Sequence, residues 1–410
     1  MENADYDKTL FFRVGTTYFK RVNKPLISGD KIEVHKPWNL ETIKQDYPEN
    51  WKIVLKNMER FDGMCTLPDH INYQRASNNF LNNYEPIPQQ PSPGSWDYIE
   101  NFLKHIFGEQ YVLGLDYITI LYRNPVQILP ILALISKERN TGKTTFLKLL
   151  KKIIGGNMTF NTLSDIRSSF NSDWASKLII GIEEALNSDN VQDSEKIKNL
   201  NTAINFKLES KGIDRIEIEF FAKFIMCSNN ETKFAIIDPH ETRYWVRQIP
   251  TLSKVIPDML EFMTKEIPAF LHFLLLRQIV SVKITRMWFA PEQIQTAALK
   301  KIKAQYVNQL ELEFCQILVE IMENNSLSEF AFTNTDLKFL FEREGFKVSR
   351  TKISQLLNEQ WQLVQNPIAS TYITYRYEAN GILKEHKVKG RYYKITRAEL
   401  NEKSHQMLTF

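Results

Sequence analysis

The chain has 410 residues, enough for two or three domains, and its 43% hydrophobic and 12% aromatic content is typical of folded globular protein and excludes a disordered chain. A net charge of +4 is too small to indicate a partner. Three distant cysteines, Cys65, Cys227 and Cys315, argue against disulfides and a cysteine zinc site, and they favour a reducing compartment. With neither a signal sequence nor a membrane-length apolar run, we expect a cytoplasmic protein without a membrane partner.

Residues 1–85 are predicted to form a small α+β region. Alternating apolar residues and a Gly15 turn predict two strands, and helical periodicity predicts two helices after them: Thr9–Val14, Thr17–Val22, Trp38–Asp46 and Asn50–Arg60. His70 follows Asp69, but such a pair is usually an ordinary surface or capping pair, and we assign it no catalytic role. The region has no paired-acid polymerase pattern and no zinc cluster.

Four prolines and a glycine within Glu85–Gly94 predict a linker at residues 86–94, because proline cannot continue a helix or a central strand. Residues 95–305 are predicted to form the next domain. It begins with two amphipathic helices, Trp96–Phe107 and Gln110–Tyr122.

A phosphate-binding loop is the central motif. The apolar run Ile128–Ile135 leads through the polar loop Ser136–Thr141 to Gly-Lys-Thr-Thr at 142–145, and apolar residues then recur at helical spacing. Backbone N–H groups of such a loop and helix start point at phosphates. Lys143 would hold the outer phosphates of ATP, and the Thr144 hydroxyl would ligate Mg²⁺.

The triplet alone is a weak signal, because Gly-Lys-Ser/Thr occurs by chance in roughly one chain of this length in five. The full pattern has another glycine five residues before Gly142, where this chain has Lys137. Asn140 can adopt left-handed backbone conformations and could take over part of that role. Pro130 is compatible with the strand only if pairing starts after it.

Two further strands are predicted to end in polar residues at the same sheet edge. Leu178–Ala185 is an apolar run closed by Glu183 and Glu184, which would hold Mg²⁺ and polarise the attacking water. The alternative is a strand that runs into a solvated helix start. Phe224–Cys227 precedes Asn229, whose amide could bind the γ-phosphate or the water, although asparagine also forms turns and Asn230 is an equal candidate.

Two basic features accompany these strands. A Lys211-Gly212 turn between alternating residues predicts a hairpin whose lysine could contact a phosphate backbone, or could simply be exposed. Arg243 and Arg247 flank Tyr-Trp-Val, and in a ring ATPase one of them would reach a neighbouring subunit's site. The alternative is an arginine in a surface ion pair.

The order of these motifs resembles superfamily 3 helicases, the AAA+ type motors of phages, plasmids and DNA viruses, and most of all the ATPase half of phage primase-helicases. The resemblance covers roughly residues 95–255. It implies a Walker B pair at Glu183 and Glu184, a DNA-contacting hairpin lysine at Lys211, a sensor Asn229 and an arginine finger at Arg243. It also implies an ATP site formed by the Walker A residues Arg139, Asn140, Thr141, Gly142, Lys143, Thr144 and Thr145.

Residues 306–410 are predicted to form a winged-helix domain. Helices at 287–304, Gln309–Asn324, Thr335–Glu344 and Arg350–Gln360, the last capped by Ser349, precede two strands, Tyr372–Tyr377 and His386–Ile395. Ten Lys or Arg against three acids between Lys347 and Arg397 favour a DNA backbone partner, with a solvated protein-docking face as the alternative. The candidate DNA contacts are Arg350, Lys352, Lys387, Lys389 and Arg391.

The sequence therefore predicts an α/β protein with a P-loop AAA+ type core around a parallel sheet. The resemblance implies an ATP- and Mg²⁺-dependent DNA helicase that acts on single-stranded or forked DNA as a homo-oligomeric ring, which we expect to be a hexamer. A separate primase is a candidate partner. If the protein is phage-encoded, we expect it in the host cytoplasm. The alternatives are a nucleotide-binding initiator or regulatory DNA-binding protein without unwinding activity, and a P-loop kinase for a small molecule.

Overall fold

The computed structural model describes residues 10–25, 27, 31–183, 191–210, 213–231, 235, 237–238, 240–254, 256–343, 348–378 and 383–408. They divide into two compact units. The first unit comprises 1–185, 196–229 and 243–294, and the second comprises 186–195, 230–242 and 295–410. Among the described helices, none has the length and apolar character needed to cross a bilayer.

The amino-terminal part of the first unit is a mixed region, with these elements: β1 (Phe11–Val14), β2 (Thr17–Pro25), β3 (Lys31–Trp38), α1 (Leu40–Asp46), α2 (Trp51–Asn57), β4 (Glu59–Phe61), β5 (Gly63–Cys65), β6 (Ala76–Ser77) and β7 (Phe80–Asn82). Strands β3, β2, β1 and β4 form one sheet in that order, and β5, β7 and β6 form another. The predicted turn at Gly15 is confirmed, with φ at +56°. Trp38 ends the unpredicted strand β3, and α1 begins after the cap Asn39, so the predicted helix start at Trp38 was wrong.

In chain order, the rest of the first unit contains α3 (Asp97–Phe107), α4 (Tyr111–Arg123), β8 (Ile131–Ile135), α5 (Lys143–Ile154), β9 (Met158–Asn161), α6 (Leu163–Arg167), β10 (Ile179–Ile182), α7 (Val191–Asn201), β11 (Asn205–Ser210), β12 (Ile213–Glu219), β13 (Lys223–Ser228), β14 (Tyr244–Gln248) and α8 (Met259–Leu276). The first residues of α7 belong to the second unit. Strand β8 starts directly after Pro130, as its missing N–H requires.

The core of the first unit is a five-stranded parallel sheet in the order β14-β8-β13-β10-β9. Its central strands β8, β10 and β13 are buried along their whole length, which explains their continuous apolar sequences. Since all five strands run the same way, their carboxyl ends meet at one edge. Strand β13 lies between β8 and β10, so the P-loop strand and the acid-bearing strand are separated by one strand.

The proline-rich segment lies against this core. Ile87 is buried, the Ser92 N–H donates to Pro268 O at 3.0 Å, and the Asn157 side chain bonds both backbone groups of Glu85 at 2.7 and 2.9 Å. Proline keeps the segment extended, and these bonds fix its path across the unit.

The second unit contains α9 (Ala297–Asn324), β15 (Glu329–Phe332), α10 (Asn334–Arg343), α11 (Arg350–Gln355), β16 (Ser370–Tyr377), β17 (Leu383–Gly390), β18 (Tyr393–Thr396) and α12 (Arg397–Leu408). Strands β16 and β17 form an antiparallel ribbon, and β15 pairs with β18. A core of aromatic and aliphatic side chains from α9, α10 and α11 fills the space between these elements.

Two sequence predictions for this unit change, and one is confirmed. The helices predicted at 287–304 and Gln309–Asn324 are one helix, α9, which starts only at the Thr296 cap because Pro291 and local turns precede it. The strand predicted at His386–Ile395 is split into β17 and β18. The cap at Ser349 is confirmed, since its hydroxyl accepts from the Lys352 N–H at 3.3 Å.

Candidate functional site

The loop predicted to bind phosphate occupies the turn from β8 into α5. Asn140 has φ +56° and Gly142 has φ +91°, so both residues take the left-handed region within three positions. The left-handed Asn140 predicted from the sequence is therefore confirmed. This region costs a glycine nothing and an asparagine little, which explains how the loop turns with Lys137 at the usual glycine position.

Helix α3 supports the loop from outside. A Cβ atom on Gly142 would lie 2.9 Å from the Phe102 ring, and the His105 ring nitrogen Nε2 lies 3.0 Å from Thr141 O. Neither contact has a local signal in the sequence, because Phe102 and His105 precede the loop by more than thirty residues. The loop is thus held in shape by packing as well as by its own bonds.

Lys143 is the first residue of α5, and only 7% of it is exposed. Its ammonium donates to the hydroxyls of Ser136 and Thr141, the latter at 3.2 Å. Ser136 is the residue that follows β8, and its hydroxyl also donates to Glu138 O at 2.7 Å. A buried ammonium surrounded by hydroxyls at a helix amino end is a favourable environment for an anion.

A cleft follows the loop and continues along the carboxyl ends of the strands. Its larger part, about 430 Å³, is lined by Arg139, Asn140, Thr141, Gly142, Lys143, Thr144, Thr145 and Asn229. A neighbouring part of about 240 Å³ is lined by Lys143, Thr144, Glu183, Cys227, Ser228 and Asn229. The structure therefore brings residues from the ends of β8, β10 and β13 to one place.

Two charged groups in this cleft affect the pKa of the Cys227 thiol. Burial raises the pKa of its thiol, the nearby Glu183 carboxylate adds to that rise, and the Lys143 ammonium opposes it. An acid and a lysine of opposite charge thus act on the same buried group. Cys227 and Ser228 were not predicted as site residues, although their position at the end of a strand beside Asn229 is a usable signal.

The residues at the cleft fit one magnesium ion. Thr144 offers a hydroxyl and the exposed Glu183 a carboxylate, and Mg²⁺ commonly takes one or two protein oxygens together with substrate phosphates and water. Among the described residues, no three His, Cys, Asp or Glu side chains converge on a metal position. A site made by the protein alone is therefore not present in that part of the chain.

Two predicted site residues, Glu184 and Lys211, lie outside the described residues. Strands β11 and β12, on either side of Lys211, form the predicted antiparallel hairpin.

The two candidate arginines occupy different ends of β14. Arg243 precedes the strand, and its carbonyl accepts from the Ile131 N–H at 2.8 Å, so it lies at the amino edge of the sheet. Five residues separate that level from the end of β8, which is about 16 Å along the strands. Arg247 lies near the carboxyl edge, is buried, and forms a salt bridge with Glu109 at 2.5 Å.

The second unit carries the predicted DNA contacts. Arg350, Lys387, Lys389 and Arg391 are exposed, whereas Lys352 is half-buried and pairs with Asp238 at 2.5 Å. Partial burial raises the pKa of Asp238, but the hydrogen bonds from Lys352 and the His240 N–H, together with the Lys352 charge, lower it overall. Gln355 Nε2 lies 3.2 Å from His240 Nε2, so α11 has two contacts of this kind within the second unit.

The ribbon β16–β17 is fixed to α10 by one buried carboxylate that the sequence analysis missed. Asp336 accepts from the Tyr372 hydroxyl at 2.9 Å and from Arg376 Nη2 at 2.6 Å. The aromatic ring of Tyr372 stacks on Tyr392 with centroids 4.7 Å apart. These bonds hold the basic strand β17 in a defined position within the unit.

The chain is similar in sequence to one protein family and in fold to solved structures. A family of unknown function (DUF5906) matches residues 134–243, from β8 to Arg243, and no curated protein matches the chain. The apo structure of the NrS-1 C-terminal region has a TM-score of 0.56 at 15% identity, covering 93% of this chain and 95% of that chain. The chain shares its fold with the NrS-1 C-terminal region.

Two other solved structures match this chain to different extents. The A form of the apo NrS-1 C-terminal region has a TM-score of 0.55 at 16% identity, over 93% of this chain and 95% of that chain. A JCV helicase with a bound small molecule matches 53% of this chain and 61% of that chain at 16% identity, and its TM-score of 0.30 is too low to support an argument.

Proposed function

We propose that this protein hydrolyses ATP to drive movement along DNA, as a ring-forming superfamily 3 type helicase. The observation that carries the proposal is the shared cleft of Lys143, Thr144, Glu183 and Asn229 at the carboxyl ends of three parallel strands. Its support is the order of motifs in the sequence together with the basic segment Lys347–Arg397 of the second unit. AAA+ and winged helix are the names we propose for the first unit's core and the second unit.

ATP would bind with its phosphates along the P-loop and the amino end of α5. Lys143 would exchange its bonds to Ser136 and Thr141 for bonds to the outer phosphate oxygens, with no change in its burial. Thr144 and Glu183 would hold magnesium, which neutralises charge on the phosphates when bound. Arg139 and Thr145 complete the lining of the larger part of the cleft.

The attacking water would be held opposite the leaving phosphate. We assign Glu184 the role of orienting and polarising this water, since it follows Glu183 at the end of β10. Asn229 lines both parts of the cleft, and its amide can donate to a phosphate oxygen and accept from the water. The role therefore goes to Asn229 rather than to Asn230.

A second protomer would supply the positive charge that stabilises the transferring phosphate. Arg247 is committed to Glu109, and Arg243 lies about 16 Å along the strands from the end of β8, where its own phosphate-binding loop begins. Arg243 can therefore act only on a neighbour's nucleotide, which requires a ring or another closed oligomer. We take a hexamer as the assembly.

DNA would be held by the backbone at two places. Lys211, between β11 and β12, would follow single-stranded DNA as ATP is turned over. Arg350, Lys387, Lys389 and Arg391 would hold duplex or forked DNA through phosphate contacts, with Lys352 joining once it leaves Asp238.

A subunit-mixing experiment tests the motor and the ring together. Lys143→Ala removes ATP hydrolysis within its own site, and Arg243→Ala removes it in the neighbouring site, so each variant alone should show little DNA-stimulated ATPase activity. Mixed protomers place an intact Lys143 beside an intact Arg243 at some interfaces, and up to about a quarter of the activity should return in a random mixture. ATP hydrolysis and size distribution are measured with and without single-stranded DNA.

The control is Arg286→Ala, an exposed arginine whose carbonyl accepts from Gln127 at the same edge of the unit. This variant should keep full activity and should not rescue Lys143→Ala beyond dilution. Full activity of pure Arg243→Ala would reject action in trans. ATPase activity that is indifferent to single-stranded DNA would favour a nucleotide-binding regulator instead of a motor.

A further inference from the structure

The strands β2 and β3 extend as a two-stranded ribbon beyond the rest of their sheet. Pairing of β1 with β2 ends at Phe11–Lys20, whereas β2 pairs with β3 from Tyr18–Trp38 to Pro25–Lys31. Within the described residues, the last four rungs, from Val22–Val34 onward, have no third strand. At about 3.3 Å per residue the unsupported ribbon is roughly 13 Å long.

The ribbon is basic, and part of its charge is not used by the fold. Its 17 residues contain five Lys or Arg and one acid, Glu33. Arg21 is held by Glu59 at 2.7 Å, and Lys20 lies over the Trp38 ring at 4.5 Å. These two cations therefore serve the packing of the base of the ribbon.

The other three cations, Lys24, Lys31 and Lys36, are exposed. No described carboxylate lies within ion-pair distance of any of them. Alternation along the strands puts Lys24 and Lys36 on one face and Lys31 on the other. Positive charge on both faces suits a position between two phosphate backbones better than a position on one flat anionic surface.

Two described apolar side chains are exposed towards the end of the ribbon. Ile27 is fully exposed beyond Pro25, and Ile32 is 43% exposed on the last rungs. Proteins that bend duplex DNA insert such apolar side chains between base steps while basic residues hold the backbone. Among the described aromatic rings at the base of the ribbon, Phe12 stacks on Phe19 and packs against Arg21, and Trp38 packs against Lys20, so these rings are not a stacking platform for single strands.

We propose that the β2–β3 ribbon is a further nucleic-acid contact, which lies in a groove of duplex DNA. Lys24, Lys31 and Lys36 bind phosphates on both sides of the groove, and Ile27 contacts the base edges or a base step at the tip. A two-stranded ribbon has the dimensions to enter a groove. The contact is independent of ATP and of the second unit, so it stands whether or not the motor proposal does.

The test removes the three lysines together, Lys24→Ala, Lys31→Ala and Lys36→Ala, in the full chain. Fluorescence anisotropy follows binding to a random-sequence duplex and to its single strand, between about 50 and 200 mM salt. Each duplex phosphate contact contributes about 0.9 to the slope of log affinity against log salt, so the slope should fall by about 2.7. Duplex affinity should fall at least about tenfold at the lower salt, and more than single-strand affinity.

The matched control removes three exposed lysines elsewhere on the first unit: Lys56→Ala, Lys254→Ala and Lys283→Ala. This triple variant loses the same charge and should keep the wild-type slope of log affinity against log salt. A separate Ile27→Ser variant should weaken duplex binding without changing the slope, because it removes no charge. Equal slopes in the two triple variants, or a loss as large on single strands as on duplex, would overturn the proposal.

Discussion

The substitution Gly142→Ala is expected to disable nucleotide binding through the shape of the loop alone. Gly142 has φ +91°, and a side chain in the left-handed region costs about 1 to 2 kcal/mol. The new Cβ would also lie 2.9 Å from the Phe102 ring, so the ring or the loop must move. If the substitution destabilises the nucleotide-bound conformation of the loop by about 2 kcal/mol, nucleotide affinity falls about 30-fold.

Titration of a fluorescent ADP analogue measures this loss, and a thermal melt measures the accompanying destabilisation. Phe102→Leu in the same chain relieves the collision but not the backbone cost, so the double variant should recover part of the affinity. Gly390→Ala is the control, because its new Cβ would have no neighbour closer than 3.6 Å and its backbone is not left-handed. Wild-type affinity in Gly142→Ala would refute the loop geometry described above.

Two further outcomes follow from buried or paired charges. Burial lowers the pKa of Lys223 from 10.5 to about 7, so between these values the unfolded chain binds more protons and stability rises with pH. From pH 7 to 9 the unfolding free energy should rise by about 2 kcal/mol through this lysine, and urea unfolding of Lys223→Met should lack that rise. Asp238→Asn should release Lys352 and tighten duplex binding about two- to fivefold in anisotropy titrations, and weaker binding would contradict a competing role for this acid.

Much of the P-loop region could be predicted because its signals are local. Strand β8, the helix α5 and the left-handed Asn140 follow from apolar runs, helical spacing and the conformational habits of single residues. The tips of β10 and β13 were located by the same reasoning. Parallel strands then bring Glu183 and Asn229 to the lysine, without any sequence signal for the pairing itself.

The rest depends on contacts that sequence spacing does not contain. Only packing shows that Phe102 restricts Gly142, and only the salt bridge with Glu109 distinguishes Arg247 from Arg243. Strand β3 was missed because its lysines and Pro37 weaken the apolar alternation that identified β2. The two predicted helices that α9 joins were separated at residues 305–308, which contain no helix-breaking residue.

The second unit is assembled from three separate stretches of chain, of which residues 230–242 leave directly after Asn229 and return at Arg243. Ala235 and Ile237 in that excursion are buried, and Asp238 is tied to α11. A clone cut at residue 295 would therefore omit part of the unit it was meant to isolate. The second unit is therefore not a simple carboxyl-terminal addition, since the chain between Asn229 and β14 forms part of it.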